Sequence, residues 1–218
     1  MRSPDGLRMN ILHIGATGLV GQLVLARLLA SPLVTQVTAP TRRPLDIQHP
    51  RLHNPVVDFE ALPEDAPWWA VDAVICTLGT TMAAAGSRAA FRRVDHDYPL
   101  QVAQLACRHG AQSYALNSAT GASARSSIFY NRVKGELEDA LVALDYPSLV
   151  LVRPGLIDGD REQPRAAEGR ALVVSRLLRP LLPMKWRPSR ATRIADALVD
   201  GALHPQPGCS VVDAAALT

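Results

Sequence analysis

Cysteine is scarce in this chain of 218 residues: there are three, at positions 76, 107 and 209, and none lies in a C-x-x-C pair. A disulfide scaffold or a thiolate zinc site needs more sulfur, more closely spaced, so neither is expected and a reducing compartment suits the set. The six histidines include no H-E-x-x-H, and Pro50 between His49 and His53 opposes a helix that would aim both at one metal. No metal site is expected. Aromatic residues make up 5%, and there are two lysines against 21 arginines. Long apolar runs are missing too. The uncharged stretch 10–26 follows Arg2 and Arg8 much as a signal peptide would, but Gly15, Gly18 and Gly21 interrupt it. It is also shorter than the roughly 20 residues that span a bilayer. The expectation is a soluble, cytoplasmic protein with no membrane segment, starting in effect at Met9 after a disordered leader of residues 1–8. Blocks of like charge are absent and the net charge is +3, so a nucleic-acid partner is not favoured.

What is present is core material. Hydrophobic residues reach 48% and charged residues 20%, enough for one full domain over 1–218 and too apolar for a disordered chain. Short Val/Ile/Leu runs at 10–14, 36–41, 55–59, 71–77, 112–117 and 148–153 read as strands buried on both faces. Helical patterns occupy 18–30, 88–109 (broken near Pro99), 128–144, 171–178 and 189–203, and a last strand falls at 210–213. This alternation is the signature of an α/β fold with a doubly wound parallel sheet. Residues 154–188 are rich in Pro and Arg, and the segment 153–193 holds ten basic and four acidic residues. That composition reads either as a small C-terminal lid over the ligand edge of the sheet, suited to an anionic substrate, or as a solvated surface.

The first strand runs directly into Gly15-Ala16-Thr17-Gly18-Leu19-Val20-Gly21 and then a helix. Glycine at these points permits a tight turn, close approach of backbone to a pyrophosphate, and close helix–strand packing, while the helix amides and dipole meet the anion. The pattern between strand and helix points to a dinucleotide. The second strand ends in Thr41, Arg42 and Arg43, with no acid before Asp46. NAD is usually gripped there by a carboxylate on the ribose hydroxyl, whereas guanidiniums pair with a 2′-phosphate, so NADP is favoured over NAD. Asp58 would either accept from the adenine amino group or cap the following helix. Gly79, after Leu78, would let the fourth strand's loop pass close to the cofactor.

Tyr130 and Lys134 are four apart on an expected helix and so share a face. A free phenol titrates near about 10, and an ammonium one turn away favours the phenolate. Such a tyrosine can exchange a proton with a substrate oxygen while hydride moves to or from a nicotinamide. Ser118, at the end of the fifth strand, could hold the same oxygen. With only two lysines and four tyrosines in the chain, chance spacing is a poor explanation. Asp95-His96-Asp97 reads as helix-surface charge plus one helix-start contact, because adjacent helical residues diverge by about 100°.

The glycine turn, Ser118 and Tyr130-x-x-x-Lys134 together resemble the short-chain dehydrogenase/reductase superfamily in its atypical form. Leu78-Gly79-Thr80-Thr81, Val94-Asp95-His96-Asp97-Tyr98, Ser118-Ala119-Thr120-Gly121-Ala122, Phe129-Tyr130-Asn131-Arg132-Val133-Lys134-Gly135-Glu136 and Arg153-Pro154-Gly155 narrow the resemblance to the Tat-interacting-protein-like, oxidoreductase-like branch. It implies an NAD(P)-binding Rossmann fold with catalytic Ser118, Tyr130 and Lys134. It also implies cofactor contacts from Gly15, Thr17, Gly18, Leu19, Gly21, Arg42, Arg43, Asp58, Leu78 and Gly79, with Pro154, Gly155 and Leu156 passing the nicotinamide. Asp95 stands where many short-chain enzymes carry the Asn of a proton relay. Superfamily members often form homodimers through the helices equivalent to 88–109 and 128–144. The leading expectation is an NADP(H)-dependent oxidoreductase acting on a small carbonyl or alcohol. The alternative is an NADPH-binding regulatory or scaffold protein with little turnover, and an epimerase or dehydratase on a nucleotide sugar is weaker because few residues follow the last core strand.

Overall fold

The computed structural model describes residues 8–158 and 188–218. Its main strands are β1 (Met9–Ile14), β2 (Val34–Thr38), β3 (Leu52–His53), β4 (Ala73–Cys76), β5 (Ser113–Asn117), β6 (Ser148–Arg153) and β9 (Gly208–Asp213). These seven form one parallel sheet in the order β3-β2-β1-β4-β5-β6-β9. A two-residue parallel pair, β7 (Ile157–Asp158) and β8 (Ser189–Arg190), stands apart from the sheet. The strand order reverses beside β1, between β1 and β4, which opens a crevice above their carboxyl ends where ligands of open α/β sheets bind.

Helices cover both faces, as the apolar strands require. On one side α1 (Leu19–Ala30) and α6 (Ala191–Leu203) lay Val24, Leu28, Ile194 and Leu198 over Ile11, Ile75 and Val150. On the other, α4 (Tyr98–Arg108) and α5 (Phe129–Val142) lay Val102, Leu105, Leu137 and Leu141 over Leu12, Val74, Leu116 and Leu149. Each fully buried Leu or Ile contributes about 1.5–3 kcal/mol.

The structure corrects two expectations and adds one element. The third strand is not 55–59 but Leu52–His53, with one isolated bridge from Thr41 to Val56; Pro55, which lacks an N–H, cannot extend the ladder between them. The helix over 88–109 does not break near Pro99. It runs as α3 (Arg88–Arg92), a π-turn (Arg93–Asp97) and α4, so the turn that widens just before Pro99 absorbs the missing donor. Short α2 (Met82–Ala85), capped by Thr81 and ended by left-handed Gly86, is an element the apolar pattern does not announce. The helix expected at 171–178 and most of the 154–188 lid lie outside the described residues.

Candidate active site

The glycine turn is shaped by contacts that exclude side chains. Gly15 has φ of +90°, and a Cβ there would lie 2.4 Å from the Leu78 backbone nitrogen; one on Gly21 would lie 2.0 Å from the Gly15 carbonyl oxygen. Gly18 caps α1 without a side-chain hydrogen bond, and the first turn holds no acidic residue. Its amides and positive dipole end are therefore available to an anion. Thr77 Oγ1 lies 3.1 Å from both the Ile14 and Gly15 carbonyl oxygens, tying the ends of β1 and β4 together beneath the turn. This cradle fits the diphosphate of a dinucleotide.

Arg42 and Arg43 project from a turn fastened at three points. Thr41 Oγ1 donates to the Arg43 carbonyl oxygen at 2.6 Å, Asn54 Nδ2 donates to Thr41 Oγ1 at 2.8 Å, and Asn54 Oδ1 accepts from Leu45 N at 2.8 Å. Both arginines are exposed, and neither is in an ion pair with a described residue. Asp58 is exposed in a turn rather than at a strand end, and its Oδ1 accepts from Glu60 N at 2.9 Å; it caps that turn, not a helix.

Tyr130, in the first turn of α5, is 36% exposed, with its ring packed on Phe91, centroids 5.6 Å apart. One turn deeper, Lys134 is buried and its Nζ lies 2.8 Å from Asp95 Oδ1. Burial opposes the ammonium, but the Asp95 carboxylate and the nearby Tyr130 outweigh it, and the lysine pKa is raised above its usual value. Asp95 Oδ2 accepts from Thr80 N at 2.7 Å, and Gly79 lets the carboxylate and ammonium sit against the loop after β4. Asp95 and His96 are thus buried, not surface charges, because the π-turn breaks the regular angular spacing of the helix. In the sequence Asp95 stands at the superfamily's relay position but not among the expected site residues; that position was the available signal, and the contact with Lys134 is made only by packing of the π-turn on α5.

Ser118 is placed differently. It is buried at the end of β5, and its hydroxyl donates to Glu138, which also accepts from Arg153 Nε at 3.0 Å. The hydroxyl therefore joins an internal ion pair, while Tyr130, Lys134, Asp95 and Gly79 form a separate cluster. Pro154 and Gly155 follow β6, where the Pro154 carbonyl accepts from Thr120 N at 2.8 Å and Gly155 N donates to Ser189 Oγ at 3.0 Å. Leu156 remains 36% exposed beside them, and its carbonyl accepts from Ser189 N at 2.8 Å.

No family model matches the chain. It is 38% identical over 163 residues to protein HTATIP2 of Rattus norvegicus, covering 73% of this chain and 67% of that protein. It is 36% identical over 168 residues to the mitochondrial protein fmp52 of Emericella nidulans, covering 73% and 71%. Among solved structures, MoeE5 in complex with UDP-glucose and NAD superposes with a TM-score of 0.72 at 16% identity, covering 93% of this chain and 74% of that one. The UDP-glucose 4-epimerase of Thermus thermophilus, in complex with NAD, gives 0.68 at 16% identity over 94% and 78%. At such identities the superpositions show the fold alone, a Rossmann-like fold shared with these NAD-bound proteins. The fungal relatives are named mitochondrial, which overturns the cytoplasmic placement. Scarce cysteine and short apolar runs suit any reducing compartment and do not single out the cytosol.

Proposed function

Because the chain belongs to the family of HTATIP2 and FMP52, we propose that it is an NADP(H)-dependent oxidoreductase acting on a small carbonyl or alcohol with Tyr130 as the proton-transfer group. The carrying observation is a half-exposed phenol one helical turn above a buried, ion-paired ammonium. Bound at the glycine turn, NADP(H) would supply or accept hydride. The turn and the α1 amides would hold its diphosphate, Arg42 and Arg43 a 2′-phosphate, and Leu78, Gly79 and Pro154 to Leu156 would border its nicotinamide end. Tyr130 would give its proton to the substrate oxygen in reduction and take it in oxidation, with Lys134 stabilising the phenolate. Ser118 would have to leave Glu138 to hold that oxygen. That commitment of its hydroxyl is the observation favouring the second reading, a cofactor-binding regulatory protein with little turnover. Anionic substrates and a homodimer through α4 and α5 remain part of the leading proposal. The test is NADPH titration by fluorescence together with a carbonyl panel: Tyr130→Phe should abolish turnover and leave NADPH binding intact. Wild type that binds NADPH but reduces no carbonyl supports the regulatory reading.

A further inference from the structure

Asp95 lies where three elements meet: the π-turn that carries it, the loop after β4, and α5. Its two carboxylate oxygens face two different donors, Lys134 Nζ at 2.8 Å and Thr80 N at 2.7 Å. Both side chains of the ion pair are nearly closed to solvent, 4% exposed for Lys134 and 1% for Asp95. Gly79 lies directly against the pair: a Cβ there would stand 3.2 Å from Asp95 Oδ1 and 3.7 Å from Lys134 Nζ. An amide at position 95 could accept from one of the two donors but would turn its own NH2 toward the other. A carboxylate is the group that satisfies both.

We propose that Asp95 is a positioning residue: its carboxylate locks the Lys134 ammonium beneath the Gly79–Thr80 loop and keeps that nitrogen charged where water cannot, so that Tyr130 has a cation beside it throughout the neutral range. The inference rests on the reading of Tyr130 as the proton-transfer group. Its physical basis is that a buried ammonium without a counter-ion sheds its proton readily, while one in contact with a carboxylate holds it. The other ionisable groups near the ammonium do not replace Asp95. Tyr130 lies one turn back on α5, and the Cys76 thiol under the loop is kept protonated by burial. Glu138, one turn further along α5, is engaged by Ser118 and Arg153, and His96 pairs with Asp97.

The chain has only two lysines, Lys134 and Lys185, so 13Cε-lysine labelling of the full-length protein gives two signals whose shifts report protonation, assigned with Lys185→Arg. In wild type the Lys134 signal should stay in its charged position beyond about pH 11, where a free lysine has largely lost its proton. In Asp95→Asn it should titrate at least about two pH units lower than in wild type, and Asp95→Glu should restore the charged signal. Identical titration in wild type and Asp95→Asn overturns the proposal. If Asp95→Asn does not fold, the wild-type spectrum decides, since a Lys134 that titrates like a free lysine also overturns it. Reduction of 9,10-phenanthrenequinone with NADPH gives the coupled readout. The Asp95→Asn rate should fall about tenfold per pH unit above its new lysine transition, whereas a loss that is the same at every pH overturns the coupling. Tyr130→Phe separates the two ideas: if it still reduces the quinone, the tyrosine reading fails while the lysine titration stands.

Discussion

Replacing His13 with glutamine should remove a large part of the protein's sensitivity to mild acid. His13 is fully buried in β1, its Nε2 lies 3.2 Å from Thr77 Oγ1, and its Nδ1 has no partner. Thr77 uses its hydroxyl hydrogen on a backbone carbonyl beneath the glycine turn, so the histidine must be the donor in their contact, with Nδ1 as a bare lone pair. Burial pushes its pKa from 6.5 down to about 3. The unfolded chain therefore takes up a proton as pH falls below about 6.5, and the folded chain does so only near 3. Stability that is complete above about 6.5 drains away between those limits at about 1.4 kcal/mol per pH unit. From about pH 6.5 to 4.5 this one side chain costs roughly 2–3 kcal/mol, and the whole interval is worth roughly 5. Urea unfolding of wild type and His13→Gln at several pH values between about 7 and 4.5 measures the difference directly. Carboxylates contribute equally to both curves, so the gap between the two proteins should narrow by that amount as pH falls. Parallel curves would refute the reasoning.

Other perturbations have equally definite outcomes. Gly21→Ala, whose new methyl would collide with the Gly15 carbonyl, should cost about 1–3 kcal/mol in unfolding free energy and weaken NADPH binding in a fluorescence titration; unchanged binding would count against the turn as the diphosphate site. Arg42→Ala with Arg43→Ala should lower the preference for NADPH over NADH by about tenfold or more, as lost charge-assisted hydrogen bonds predict, and an unaltered ratio would remove the basis for NADP. Glu138→Gln should destabilise the fold by about 2 kcal/mol, because it leaves the Arg153 guanidinium without its carboxylate; a melting temperature equal to wild type would contradict this.

The sequence could be read most closely where one force dominates. β6 has the boundaries expected of its continuous apolar run, and β1 differs by a single residue, because strands buried on both faces leave little choice of register. The glycine turn was equally legible, since its spacing is a steric requirement. Reading failed where backbone irregularity intervened. The regular helical spacing that places Asp95 and His96 on a surface does not survive a π-turn, whereas Asp97 is exposed as expected. The edge strand β3 is set by a few backbone pairings beside Pro55 rather than by an apolar pattern. Ser118 was identifiable as a strand-end hydroxyl, but its partner, Glu138, lies 20 residues away and is joined to it only by packing. The compartment was misjudged because composition reports redox chemistry and not address.

Helix α5 meets the 122–124 loop with no side chain between them: a Cβ on Gly135 would fall 2.1 Å from the Ser123 carbonyl carbon. Main chain against main chain has no rotamers with which to give way. The height of the phenol over the sheet is consequently set by peptide geometry, so a reactant must travel to the hydroxyl, and little of the work of alignment is left for the moment of proton transfer.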